Sequence, residues 1–126
     1  LLADGEKKEQ IKRILTHTGF SLRFESNEVL QFGGPGFIDI LLANRPLSQK
    51  MLTDAILKSD FPVKVLKVED IIGLKIQAYH NDPKRKLQDL ADIKALANKN
   101  SNCDLKQIKV YADLFNCWEE ISEVIK

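Results

Sequence analysis

The apolar positions change period partway along the chain. Phe20, Leu22 and Phe24 alternate with Ser21, Arg23 and Glu25, the period-two pattern of a half-buried strand. Ser26-Asn27 supplies a tight turn into a second strand over Val29 to Phe32. Gly33-Gly34-Pro35-Gly36 then turns the chain into Phe37 to Leu42, whose nearly continuous apolar run predicts a strand covered on both faces. Ahead of these strands, Asp4 is placed to cap a helix starting at Gly5, with Ile11, Ile14 and Leu15 as its stripe and Gly19 as its stop. Leu1-Leu2-Ala3 reads as the end of a strand whose beginning lies upstream. Pro46 and Ser48 open a helix with Met51, Leu52, Ala55 and Ile56 as its stripe, and Pro62 to Leu66 gives one more short strand. From there the period becomes that of helices, over about 68–80, 85–99, 104–115 and 117–125, with Asn81-Asp82-Pro83 breaking the first pair. The pattern predicts an α+β fold, a mixed sheet from strands near residues 20, 30, 40 and 64 packed on helices, with a helical C-terminal portion. Residues 1–66 form the α+β core and 67–126 the helical portion packed on it, as a single compact unit.

Composition narrows the function classes. At 126 residues, with 44% hydrophobic and 29% charged positions, the chain is long enough and apolar enough for a real core. A formal net charge of +1 gives no global field to recruit nucleic acid or an anionic membrane. No apolar run approaches the ~20 residues of a membrane span, and no signal-peptide pattern is present. Cys103 and Cys117 lack metal-ligand spacing and a nearby histidine, which argues against zinc, and so few cysteines favour a reducing cytoplasm.

The candidate chemistry lies in charges set into or beside apolar patterns, where an unpaired charge is costly. Asp39 interrupts Phe37-Ile38-Asp39-Ile40-Leu41-Leu42. It either reaches water or Arg45 at an edge, or is a carboxylate held on a rigid strand for a metal or as a base. Lys75 falls in the middle of the arc Val68, Ile71, Ile72, Ala78 and Tyr79. Its ammonium either snorkels to water or points into a cleft toward phosphate or carboxylate. Asp89 and Asp92 share a helix face, with Asp89 just outside the arc Leu87, Leu90, Ala91, Ile93 and Ala97. Lys84-Arg85-Lys86 stands at a helix start, against the dipole's preference for acids, a conflict that a phosphate would relieve. The glycine-rich turn at 33–36 is no phosphate loop, because it lacks the lysine and hydroxyl and no helix comes after it. Asp39, Lys75 and Asp89 are expected to open onto one cleft, with Asp89 at its rim.

Two stretches carry a family resemblance. They are Val65-Leu66-Lys67-Val68-Glu69-Asp70-Ile71-Ile72-Gly73-Leu74-Lys75-Ile76-Gln77-Ala78 and Lys84-Arg85-Lys86-Leu87-Gln88-Asp89-Leu90-Ala91-Asp92-Ile93. Together with Phe37 to Leu42 and Val110-Tyr111-Ala112-Asp113-Leu114-Phe115, they resemble bacterial nucleotidyltransferase-like proteins, among them abortive-infection-type toxin nucleotidyltransferases. The resemblance implies transfer of a nucleotide from a nucleoside triphosphate to an RNA or protein acceptor with magnesium, and an antitoxin-like protein partner. It implies Asp39 as a metal or base carboxylate, Asp89 as a late acidic catalytic residue, and Lys75, Arg85 and Lys86 as contacts to the triphosphate. The family's glycine-serine turn and aspartate-x-aspartate pair are not found here, and by the resemblance they would stand immediately before Leu1. One carboxylate does not hold two magnesium ions, so catalysis depends on whether that pair stands upstream.

Three readings are open. The chain is a nucleotidyltransferase, a non-catalytic module of the same fold that binds a protein partner or RNA, or a small nucleotide or RNA binder working through Lys84 to Lys86.

Overall fold

The computed structural model describes residues 1–60 and 62–126, which fall into two units, Leu1–Ala55 and Ile56–Lys126. In the first unit Asp4 ends strand β1 (Leu2–Asp4) and caps the turn after it, its carboxylate accepting the Glu6 N–H at 3.0 Å. That 3-10 turn, Gly5–Lys7, leads into α1 (Lys8–His17), and Gly19 stops the helix with a φ of 92°. Strands β2 (Ser21–Glu25), β3 (Val29–Gly33) and β4 (Phe37–Ala43) complete a mixed sheet of order β1-β4-β3-β2. Interior β4 runs parallel to β1 and antiparallel to β3. Leu30, Phe32, Ile40 and Leu42 face the core, where Ile11 and Leu15 of α1 pack on them. Gly34 is required at the β3–β4 turn, since a Cβ there would lie 2.7 Å from the Gly19 carbonyl oxygen. Helix α2 (Pro46–Asp54) packs on β1 and β4, and its Gln49 donates to the Asp4 carboxylate at 3.2 Å.

Three expectations about the strands change. First, the strand near residue 64 does not join the sheet. Lys64–Val65 (β6) pairs with Ile56–Leu57 (β5) in a separate antiparallel ribbon, and β1 takes the place beside β4. Ile56 therefore leaves the α2 stripe, because the helix stops at Asp54 and Ala55 is extended, with ψ 142°. Second, β4 is not covered on both faces: Ile40 and Leu42 are buried, whereas Phe37 on the opposite face is 94% exposed. Third, Phe24 does not join Phe20 and Leu22 in the core. Leu22 lies opposite core residue Phe32, but the register shifts and Phe24 lies opposite Gln31. One extra residue, Arg23, makes a bulge that reverses the alternation.

The second unit, beyond β5 and β6, is helical: α3 (Val68–Asn81), α4 (Lys86–Lys99), α5 (Leu105–Asp113) and α6 (Trp118–Val124). Asp82 caps the 3-10 turn Pro83–Arg85 before α4, and Asp104 caps α5 through the N–H groups of Lys106 and Gln107. Ile72, Ile76, Ile93, Ile108, Ala112 and Ile121 form the core, all fully buried. Gly73 lets α5 approach α3, because a Cβ there would sit 2.7 Å from ring atoms of Tyr111. The α+β architecture with a helical C-terminal part is as the pattern predicted. Among the described residues, no helix is long and apolar enough to cross a membrane.

Candidate functional site

Residues 85, 89 and 92 lie within two turns of α4 and its entry, at i, i+4 and i+7, so they project on one side. Lys75 of α3 meets them there. Its Nζ lies 3.1 Å from Asp89 Oδ1 and 2.6 Å from Asp92 Oδ2. Arg85 Nε donates to Asp89 Oδ2 at 3.1 Å, and Gln88 Nε2 donates to Asp92 Oδ1 at 2.8 Å. Two cations thus balance two anions. The Asp89 side chain is 1% exposed, and both of its oxygens accept charged donors, which is what makes so complete a burial tolerable. Burial pulls the Lys75 ammonium pKa down, but the hydrogen bonds to Asp92 and Asp89 outweigh it and the net shift is upward. Lys75, then Gln88, hold Asp92 below the usual carboxylate range.

The helix faces differ from the expected arcs. On α3 the buried residues are Asp70, Ile72, Gly73, Ile76 and Tyr79, so Lys75 flanks the buried face and is not at its centre. On α4 the buried stripe is Asp89, Ile93 and Ala97, while Leu87 is 86% exposed. Asp89 is therefore at the heart of the packed face of α4 and not just outside it, because Lys75 and Arg85 compensate its charge. Apolarity alone ranked Leu87 inside and Asp89 outside. The basic cluster also divides. Arg85 goes to Asp89, whereas Lys86 pairs with Glu120 at 2.6 Å and lies 5.7 Å above the Tyr79 ring. Acidic side chains of the protein itself thus meet two of the three charges at this helix start, those of Arg85 and Lys86.

Asp39 belongs to the sheet unit. It stands on the outer face of β4 between Phe37 and Leu41, opposite Gln31 of β3. Arg45, its suggested partner, pairs with Glu28 instead. Among the described residues, no hydrogen bond or ion pair engages the Asp39 carboxylate. Magnesium keeps several waters and prefers a near-octahedral set of oxygens. Among the described residues no three His, Cys, Asp or Glu side chains converge as a metal site, and Asp89 and Asp92 are committed to Lys75 and Arg85. The carboxylates present do not by themselves fit the ion.

One polar pair escaped the sequence reading. Asp70, 5% exposed near the start of α3, accepts the Tyr111 hydroxyl on Oδ1, and Oδ2 has no partner among the described residues. An acid at a helix start reads as an ordinary response to the dipole. The usable signal was Gly73, three residues later in an otherwise good helix, which marks a close approach.

The sheet unit thus presents an exposed strand carboxylate, unpaired among the described residues, and the helical unit packs Lys75, Arg85, Asp89 and Asp92 into one charge-balanced cluster. Comparison with curated proteins returns no match. A family profile described as nucleotidyl transferase AbiEii toxin, type IV toxin–antitoxin system, matches residues 2–120. That span contains Asp39, the Lys75–Asp92 cluster and Tyr111 alike. On this match the chain belongs to the AbiEii family of nucleotidyl transferase toxins.

Proposed function

We propose that this protein transfers a nucleotide from a nucleoside triphosphate to an RNA or protein acceptor in the cytoplasm, with magnesium, and that an antitoxin protein restrains it. The observation that carries this reading is the Asp39 carboxylate, exposed and unpaired among the described residues on a strand of a nucleotidyl transferase family member. In this reading Asp39 is the strand's metal or base carboxylate and Asp89 the late acidic residue. Lys75 is the triphosphate contact. An ammonium has three N–H donors, and Asp89 and Asp92 take two, which leaves one for a phosphate oxygen. Arg85, with its side chain 55% exposed, and Lys86 supply further donors.

The metal site needs more carboxylates than Asp39. In the parallel pairing of β1 with β4, Leu2 lies opposite Leu41. In the same register the residue two positions ahead of Leu2, one beyond Leu1, would come opposite Asp39 with its side chain on the same face. We propose that carboxylates reaching that position complete the site. A second reading is a non-catalytic module binding a protein partner or RNA. It is favoured by the pairing of Lys75, Arg85 and Lys86 with the protein's own acids.

The test incubates labelled nucleoside triphosphates, magnesium and a pool of RNA and protein with two versions, this chain and one extended upstream of Leu1 as encoded. Nuclease or protease digestion then identifies the labelled acceptor. Transfer by the extended version and little by the 126-residue chain is the expected result. Absence of transfer by both supports the module reading.

A further inference from the structure

The outer face of the sheet carries an arrangement that the transfer reading does not use. Phe37 is 94% exposed, and its partner across β3 is Gly33, which offers no side chain to shield the ring. Arg23, the bulge residue of β2, lies over Gly33: a Cβ on Gly33 would be 2.9 Å from Arg23 Nε. Among the described residues no hydrogen bond or ion pair engages the Arg23 guanidinium. An exposed aromatic ring and a guanidinium unpaired among the described residues therefore flank one glycine, on the face that also bears Asp39.

We propose that this is a base-binding subsite for the nucleoside triphosphate, with the base stacked on Phe37 and its edge against Arg23. The inference rests on the nucleotidyl-transfer reading and adds to it the part of the substrate that is recognised. A solitary exposed phenylalanine needs no explanation. One beside an uncovered cation matches a nucleobase, which has a π face for the ring and carbonyl or ring-nitrogen acceptors for guanidinium donors. Spacing favours the triphosphate as the occupant. Phe37 and Asp39 are two strand residues apart, about 7 Å at ~3.4 Å per residue. That is comparable with one ribose between a base and its first phosphate. Gly33 is part of the device, since a side chain there would displace Arg23.

The experiment is equilibrium binding of each nucleoside triphosphate, of inorganic tripolyphosphate and of a short single-stranded oligonucleotide. The parent protein is compared with Phe37→Ala, Phe37→Tyr and Arg23→Gln, with melting temperatures recorded as a folding control. Phe37→Ala is expected to weaken triphosphate binding about 5- to 150-fold, the usual cost of removing a stacking ring. Phe37→Tyr should stay close to the parent, and Arg23→Gln should lose about 2- to 10-fold. Tripolyphosphate affinity should not change in any of the three. Equal triphosphate affinity of the parent and Phe37→Ala overturns the subsite, as does a parent that binds no nucleotide. If Phe37→Ala binds the triphosphate as well as the parent while Lys75→Ala loses tripolyphosphate binding, the subsite falls and the transfer reading stands. Loss of oligonucleotide but not triphosphate affinity in Phe37→Ala would assign the face to the acceptor and also overturn the proposal.

Discussion

The Lys75 ammonium lies 3.1 Å from an oxygen of Asp89, a carboxylate that is 1% exposed. This contact ties α3 to α4 and explains how an acid occupies the packed stripe with Ile93 and Ala97. Removing one partner leaves a buried charge with fewer donors. Lys75→Met is expected to lower unfolding free energy by about 3 kcal/mol, the lower end for broken buried pairs, because Arg85 still holds Asp89. The double variant Lys75→Met/Asp89→Leu should be less destabilised than the sum of the two single changes. Urea unfolding of the four proteins measures this. A Lys75→Met loss of well under about 1 kcal/mol, the range of exposed pairs, would show that the contact contributes little.

The pH dependence has a definite sign at each end. Asp92 is held below its ordinary 3.8 by Lys75 first and then by Gln88. Glu25 is held below 4.5 by Lys8 and Lys12. Groups with depressed folded values stabilise above their unfolded values and lose that contribution as pH falls through the folded ones. The melting-temperature gap between the parent and Asp92→Asn should be present at neutral pH and close as pH falls below 3.8. Lys75 is raised above 10.5 despite its burial, because two carboxylates outweigh it. Its contribution should be complete below 10.5 and fade as pH rises past the raised value. A gap that widens toward acid would contradict the assignment.

Gly73 tests the packing of α5 on α3. Alanine is worth about 1 kcal/mol over glycine in a helix interior. The added methyl would nevertheless lie 2.7 Å from the Tyr111 ring, so Gly73→Ala is expected to destabilise by about 1–3 kcal/mol. Tyr111→Phe removes the hydroxyl from the buried Asp70 carboxylate and should cost a similar amount, about 1–3 kcal/mol. Chemical denaturation at neutral pH reads both. A stabilised Gly73→Ala protein would mean that the ring moves aside freely.

Local signals were legible where the information is local. The change of period at Pro62 located four helices, and Asp4 and Asp82 act at the turns expected of them. Pairing was not legible, because the Lys64–Val65 strand carries nothing in its own residues that chooses β5 over the main sheet. Nor was the bulge at Arg23, which sends Phe24 outward against a clean alternation. Of the candidate residues, Lys75, Arg85 and Asp89 stand out in the sequence, and the structure brings these three side chains together. Their roles in the packing were not legible, because a hydrophobic arc cannot register a charge whose burial its partners compensate. Asp39 stands out for a partly mistaken reason: its strand is apolar, yet the face that carries it is exposed.

The most direct test is label transfer from a nucleoside triphosphate by the upstream-extended protein and by its Asp39→Asn and Lys75→Ala variants, with folding checked by melting temperature. Removal of a group that acts only on the reacting phosphates should cost about 100-fold or more in rate. We expect Asp39→Asn to abolish transfer while its melting temperature stays near that of the parent, since the side chain has no partner to lose among the described residues. Lys75→Ala should lose both transfer and stability. Transfer that survives both substitutions would contradict the assignment of Asp39 and Lys75 to the chemistry.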